Sequence, residues 1–309
     1  MESRIRSPRP QRWQVITAFA TVYLLWGSTY LGIRFAVETI PPFLMAGSRH
    51  CTAGLILYAW ARRHGAAKPR LKHWRGAAIV GGLLLLGGNG LLSFAQRRVP
   101  SGISALIIGS VPLWMILLEW LWHRGPRPTV GTVSGLVVGF VGLGFLVAPG
   151  RFNGSAPIDS FGAVVLLLAA FLWAAGSLYS RRAKLPSSQL LAAAMEMLAG
   201  GAIVVLAGTV SGEWIGFTPA QISAHSWVAW AYLVTFGSLI GFTAYVWLLQ
   251  VATPARVSTY AYVNPVVAVF LGWAFAGEEV SSRTLLAAAA IILAVVIIVT
   301  RAAEAPTEM

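Results

Sequence analysis

The chain has 309 residues, of which 57% are hydrophobic and 11% are charged, and its formal net charge at pH 7 is +13. This composition is far from that of soluble domains and predicts an integral membrane protein. The basic residues do not indicate nucleic-acid binding, because most lie in short segments between apolar runs, where no soluble surface can form. The single cysteine, Cys51, excludes an intramolecular disulfide and a four-cysteine metal site.

Apolar runs long enough to cross a bilayer follow one another along the chain, each close to the roughly 20 residues that a membrane-spanning helix needs. The ten runs are 14–33, 42–61, 76–96, 101–122, 129–148, 160–180, 189–210, 227–249, 255–275 and 281–300. Backbone groups in hydrocarbon must be satisfied within each segment, and the runs lack the alternating pattern of a barrel. The sequence therefore predicts an all-α integral membrane protein with ten transmembrane helices.

The basic residues also predict the orientation of these helices. If the amino terminus is cytoplasmic, most of the 23 Lys and Arg residues fall on the cytoplasmic side, as the positive-inside rule requires. We therefore expect a basic cytoplasmic amino terminus at 1–13, an external linker at 150–159 and a cytoplasmic tail at 302–309. The protein is then a multi-pass membrane protein with both termini inside the cell.

The first and second halves of the chain share a pattern. A stretch that begins at Trp26 and ends in arginine eight residues later recurs from Trp173, and the same offset places Arg49 opposite Glu196. Such self-similarity is the mark of a duplicated unit. Each half contains five runs, an odd number, so the second half must enter the membrane from the opposite side. We expect two inverted repeats, 14–149 and 160–301, with a substrate site near the middle of the membrane where they meet.

Four motifs carry a resemblance to a known family. They are Trp-Gly-Ser-Thr-Tyr-Leu from Trp26, the Pro-Pro-Phe-Leu-Met-Ala-Gly-Ser-Arg that ends at Arg49, the Pro-Ser-Gly-Ile-Ser-Ala-Leu-Ile upstream of Pro112, and Gly277-Glu278-Glu279. In these motifs the chain resembles the drug/metabolite transporter superfamily with EamA-type repeats. One departure is that the first half has Arg124-Gly-Pro-Arg where the second has the acidic turn.

The resemblance covers residues 14 to 301 and implies a function. It implies a secondary transporter of the cell inner membrane that exports small metabolites, amino acids or amphipathic drugs by alternating access, without a cofactor. Its partners would be a small-molecule substrate and the lipid bilayer, with a monomer as the working expectation and the oligomeric state left open. An uncoupled facilitator and a flippase of lipid-linked intermediates are the alternatives. Phosphate-loop, zinc-protease and nucleophile-elbow signatures are missing from the sequence, so we do not expect an enzyme or a metal site.

Two ionisable residues lie deep in the predicted membrane region. A charge there costs about 2.5 to 3.5 kcal/mol unless it faces a cavity or a partner. Arg49 and Glu196 each occupy the eighth position of their runs, so both should lie near the midplane. In one interpretation Arg49 binds a substrate carboxylate and Glu196 is a candidate for proton coupling. In the other, the two residues form a structural ion pair.

Aromatic and small polar residues away from the predicted helix ends could line a cavity, although such groups can instead link helices by hydrogen bonds. Together with the two ionisable residues, the candidate substrate-binding residues are Trp26, Thr29, Tyr30, Asn89, Ser110, Trp114, Trp173, Tyr245, Tyr260, Tyr262 and Asn264. Pro112 and Pro265 take matching positions in the two halves. Each proline could serve as a gating hinge or could only shape the helix.

Overall fold

The computed structural model describes residues 11–123, 130–147, 158–257 and 259–304. Regular structure within these ranges is entirely helical, which confirms the predicted all-α class. The main helices are α1 (Arg12–Ala36), α2 (Pro42–Arg63), α3 (Leu71–Ala95), α4 (Ser101–Ile108 and Val111–His123), α5 (Val130–Val147), α6 (Ser160–Ser180), α7 (Gln189–Val210), α8 (Ala224–Val251), α9 (Tyr260–Ala276) and α10 (Ser282–Glu304).

Six of these helices, α1, α3, α4, α6, α7 and α8, are long and apolar enough to cross a membrane. Shorter apolar helices cover Val133–Leu146, Val263–Ala276 and Ser282–Ala294. Helix α2 is 22 residues long, but it contains arginine and histidine side chains that reduce its hydropathy. The helical segments follow the predicted runs closely, while the number of membrane crossings and the inverted relation of the halves stay predictions.

Local sequence signals explain where the helices begin and end. Asp159, Ser188 and Ser223 precede α6, α7 and α8, and each side chain accepts a hydrogen bond from a backbone N–H of the first turn. Pro100 precedes α4, where a missing backbone N–H is tolerated. Helix α9 ends at Gly277, whose φ of 64° is a left-handed conformation that glycine adopts without strain.

Helices α3 and α8 each contain a π-helical stretch, Gly82–Gly90 and Leu233–Phe242 respectively. The two helices hold the same place in the two predicted repeats. A π-helical turn is wider than an α-helical turn and rarely forms without a functional reason. Hydrophobic periodicity did not reveal either stretch.

The closest packing joins the first half of the chain to the second. Helix α2 packs along α7, and α5 packs along α10. Gly47 and Gly54 of α2 make the first of these contacts possible, because a Cβ atom at either position would lie 3.0 Å or less from backbone atoms of α7. Small residues at such crossings let helix backbones approach closely in a membrane.

The two prolines predicted as hinges lie in different surroundings. Pro112 follows the interruption of α4 at Gly109 and Ser110 and is in the first turn of the second segment. Pro265 lies inside the continuous helix α9. A Cβ atom at Gly109 would lie 3.4 Å from Cγ of Pro265, so the break in α4 faces the proline of α9. The gating role of either proline stays a prediction.

Candidate functional site

A small pocket lies between the two halves of the chain, and the centre of a water-sized molecule fits in about 50 Å³ of it. Helices α1 to α4 supply one part of its lining and α6, α8 and α9 supply the other. The lining residues are Trp26, Thr29, Tyr30, Arg49, His50, Gly88, Asn89, Leu92, Ile108, Ala169, Trp173, Gly237, Phe242, Tyr260 and Asn264. The pocket is therefore mostly aromatic and apolar, with a few polar groups.

Arg49 is the charged residue of this lining. Its side chain is 3% exposed, and among the described residues its Nε and Nη1 atoms have no hydrogen-bond partner. Nη2 approaches Nε2 of His50 at 3.4 Å, while Nδ1 of His50 donates to the carbonyl oxygen of Ala46 at 2.6 Å. That bond leaves Nε2 as the acceptor on the imidazole, so His50 orients the guanidinium without neutralising it. The N–H groups of Nε and Nη1 are left as donors for an anionic group.

Aromatic rings form the wall around Trp26. Its ring centroid lies 5.4 Å from that of Trp173, 4.8 Å from that of Tyr245 and 5.5 Å from that of Tyr260. Trp173 Nε1 donates to the hydroxyl of Tyr245 at 3.0 Å, and this hydroxyl also bonds to Ser177 at 2.6 Å. Edge-on and tilted ring pairs at these distances are favourable, so the wall is ordered.

Glycines in the two π-helical stretches leave room for Trp26 and Trp173, the two tryptophans at matching positions of the predicted repeats. A Cβ atom at Gly88 of α3 would lie 2.4 Å from Trp173, and one at Gly241 of α8 would lie 2.5 Å from Nε1 of Trp26. Trp26 also donates to the carbonyl oxygen of Gly237 at 3.2 Å. Each half of the chain thus contributes one tryptophan to the pocket and one glycine-containing π stretch that makes room for the tryptophan of the other half.

The structure brings together most of the residues that the sequence singled out. Eight of them line the pocket: Trp26, Thr29, Tyr30, Arg49, Asn89, Trp173, Tyr260 and Asn264. Tyr245 is not a lining residue, but its ring packs against the ring of Trp26. Ser110 and Trp114 do not reach the pocket, because the Ser110 hydroxyl bonds to the carbonyl oxygen of Ile107 and the Trp114 ring packs edge-on against Phe140 and Phe171. The side chain of Tyr262 falls outside the described residues.

Glu196 is fully buried on α7 and is not part of the pocket lining. Neither of its carboxylate oxygens has a hydrogen-bond partner among the described residues. The ion pairs within the same ranges are Arg98 with Asp159 and Glu38 with His225. The direct ion pair between Arg49 and Glu196 that the sequence left open is therefore not formed in the described structure.

Sequence reasoning missed several lining residues, among them His50 and Phe242. His50 was not among the candidate residues. Its position next to Arg49 in the sequence was the available signal, although consecutive helical residues normally point in different directions. Phe242 has no polar group and could not be separated from ordinary core residues.

Comparison with known proteins identifies the family. The EamA-like transporter family matches residues 13–148 and 160–300, one match in each half. The chain belongs to this family. The match confirms the resemblance to the drug/metabolite transporter superfamily, and the description of the family is that of transporters.

Two relatives align with most of the chain. The chain is 38% identical over 265 residues to the uncharacterized inner membrane transporter YedA of Escherichia coli (strain K12), and the alignment covers 85% of this chain and 83% of the relative. It is 27% identical over 267 residues to the uncharacterized transporter YvbV of Bacillus subtilis (strain 168), covering 85% and 84%. A solved structure titled only "Crystal structure of protein" has a TM-score of 0.67, 21% identity and coverage of 96% of this chain and 100% of its own, and it supports the fold alone.

Proposed function

We propose that this EamA-like protein is a secondary transporter that exports small amphipathic metabolites, such as amino acids or related drugs, through the central pocket by alternating access. It would act in the inner membrane, with ten crossings, inverted halves and both termini in the cytoplasm. Family membership and the name of the Escherichia coli relative support a transport function. A site between two related halves is the usual arrangement in such transporters.

The observation that carries the proposal is the unpaired guanidinium of Arg49 in the pocket. A buried cation without a counter-ion is costly, and a carboxylate can accept two parallel N–H bonds from a guanidinium. Nε and Nη1 are the two donors without a partner. Because Nε–H and Nη1–H lie on different edges of the guanidinium, a substrate carboxylate would accept from one of them together with an N–H of Nη2, and the rings of Trp26, Trp173 and Tyr260 would cover the apolar part of the substrate.

Glu196 supplies a second part of the proposal. It is a buried carboxyl group that has no cation and no hydrogen-bond donor beside it among the described residues, and acidic groups at such a depth are typical of proton pathways in transporters. We place proton coupling at this residue. If Glu196 couples transport to protons, Glu196→Gln should retain substrate exchange at equal pH on both sides but lose the acceleration of net efflux by a pH gradient.

The experiment that tests the proposal is a transport screen in proteoliposomes. Vesicles containing the purified protein are loaded with labelled amino acids and aromatic carboxylates, and efflux is measured with and without a pH gradient. We expect at least one compound to leave faster than from protein-free vesicles, and Trp26→Ala to remove that difference. Trp273→Ala is the matched control, because Trp273 is 59% exposed on the outside of the bundle. If no compound is transported, or if both variants lose transport equally, the pocket is not the transport site.

A further inference from the structure

Two glutamates join the second half of the chain to the first in the same way. Oε1 and Oε2 of Glu213, which follows α7, accept from the backbone N–H groups of Phe43 and Leu44 in the first turn of α2, at 3.1 and 2.8 Å. Oε1 and Oε2 of Glu278, which follows α9, accept from the backbone N–H groups of Ser101 and Gly102 in the first turn of α4, at 2.6 and 2.9 Å. A carboxylate is favourable at a helix amino terminus because it satisfies unpaired N–H groups and complements the helix dipole.

The backbone that presents each glutamate is similar. A glycine with positive φ precedes each acid, Gly212 at 78° and Gly277 at 64°, and only glycine adopts this conformation without strain. The glutamate N–H then bonds back to the carbonyl oxygen of a helix glycine, Gly208 in α7 and Gly272 in α9. The two Gly-Glu turns differ in length, because Gly208 lies five residues before its glutamate and Gly272 six.

Space for the two carboxylates depends on the helix glycines. A Cβ atom at Gly208 would lie 3.0 Å from Oε2 of Glu213, and one at Gly272 would lie 2.5 Å from Oε2 of Glu278. A side chain at Gly272 would therefore push the carboxylate away from α4. The sequence pattern showed the acidic turn after α9 but not its counterpart after α7, because Glu213 has no acidic neighbour.

Both Gly-Glu turns lie at one end of the bundle. Chain direction alternates from α2 through α3 to α4, so the starts of α2 and α4 lie at the same end as the ends of α7 and α9. The positive-inside bias places this end outside the cell. At the opposite end, the start of α7 is capped by its own Ser188 and not by a residue of the other half.

We propose that the two Gly-Glu turns are latches that hold the external end of the bundle closed, so that both must release before the pocket opens to the outside. The proposal rests on the alternating access of the proposed function. Each latch ties a helix of the first half to the end of a helix of the second half, and outward opening separates those halves at that end. Because outward opening would pull these groups apart, breaking either latch removes bonds that favour contact between the halves at this end and shifts the population toward the outward-open state.

The test measures access to the pocket from each side of the membrane. Cys51→Ser removes the native thiol, and Thr29→Cys places a thiol in the pocket lining. A membrane-impermeant thiol reagent is added to right-side-out or inside-out vesicles. We expect Glu213→Ala and Glu278→Ala each to raise the rate of labelling from outside about tenfold, because each loses two charge-assisted hydrogen bonds, and to lower labelling from inside.

Glu279→Ala is the matched control, since Glu279 is the exposed neighbour of Glu278, and its labelling should equal that of the parent. If the alanine variants do not fold, Glu213→Gln and Glu278→Gln replace them. A glutamine keeps one acceptor oxygen, so a smaller rise in labelling from outside is expected. Unchanged labelling in folded variants would overturn the proposal. An equal rise in labelling from both sides would also overturn it, because such a rise indicates a general loosening of the bundle.

The labelling assay needs no substrate, so its result can be interpreted even if the transport screen finds no transported compound.

Discussion

Substitution of Gly81 by alanine tests a backbone-to-backbone contact between the two halves of the chain. Gly81 of α3 lies against the backbone of α7, where an added Cβ atom would be 2.4 Å from the carbonyl oxygen of Glu196 and 2.8 Å from the amide nitrogen of Gly200. Both neighbouring atoms belong to backbone and cannot rotate away. The helices would therefore have to separate, or α3 would have to turn about its axis.

The size of the effect follows from two opposing terms. Insertion of a methyl group into a closely packed contact costs about 1 to 3 kcal/mol. Alanine is favoured over glycine within a helix by about 0.5 to 1 kcal/mol, which offsets part of that cost. The net range is about 0 to 2.5 kcal/mol, and because both neighbouring atoms belong to backbone we expect Gly81→Ala to lower the free energy of unfolding by an amount in the upper half of that range.

Gly82→Ala provides the matched control, because a Cβ atom there has as its nearest neighbour Cδ1 of Ile203 at 3.7 Å, an ordinary contact. Only the helix-propensity term then applies, so Gly82→Ala should be as stable as the parent or slightly more stable. Thermal unfolding in detergent, followed by tryptophan fluorescence and by size-exclusion chromatography after heating, measures both variants. Equal melting temperatures for Gly81→Ala and Gly82→Ala would show that α3 and α7 are not in backbone contact.

Three further predictions address the site and the topology. Arg49→Met and Glu196→Gln should have additive effects on thermal stability, within about 0.5 kcal/mol in a double-mutant cycle, because the groups do not pair; a larger coupling would mean that they meet. Gly88→Ala should displace the Trp173 ring and reduce transport by the compounds that the screen identifies, while the yield of folded protein is retained; normal transport would remove Trp173 from the site. A reporter fused to the carboxyl terminus should be cytoplasmic and one inserted at Gly154 external, and the reverse result would refute the predicted orientation.

The all-α fold and most of the pocket could be predicted from the sequence because both depend on strong local signals. Long apolar runs separated by prolines and charges marked the helices, and polar or aromatic residues inside those runs had few other roles. Trp26, Trp173 and Arg49 were found in this way. Each is expensive or unusual in hydrocarbon unless it faces a cavity or a partner.

Features that depend on contacts between distant segments could not be predicted. The π-helical stretches of α3 and α8 form where glycines meet tryptophans of the other half, and hydrophobic periodicity contains no trace of that fit. Arg49 and Glu196 occupy matching positions in the predicted repeats, yet matching positions do not require contact. The role of Glu213 leaves no local sequence signal, because the helix that it caps lies about 170 positions away in the chain.

The central claim is that the pocket between the halves opens to each side of the membrane in turn. Labelling of Thr29→Cys in the Cys51→Ser background tests this claim most directly, with the impermeant thiol reagent applied from one side at a time. We predict measurable labelling from both sides, and a decrease on each side when a transported compound fills the pocket. Labelling from one side only, with or without such a compound, would contradict alternating access and leave the pocket as a binding site that faces a single compartment.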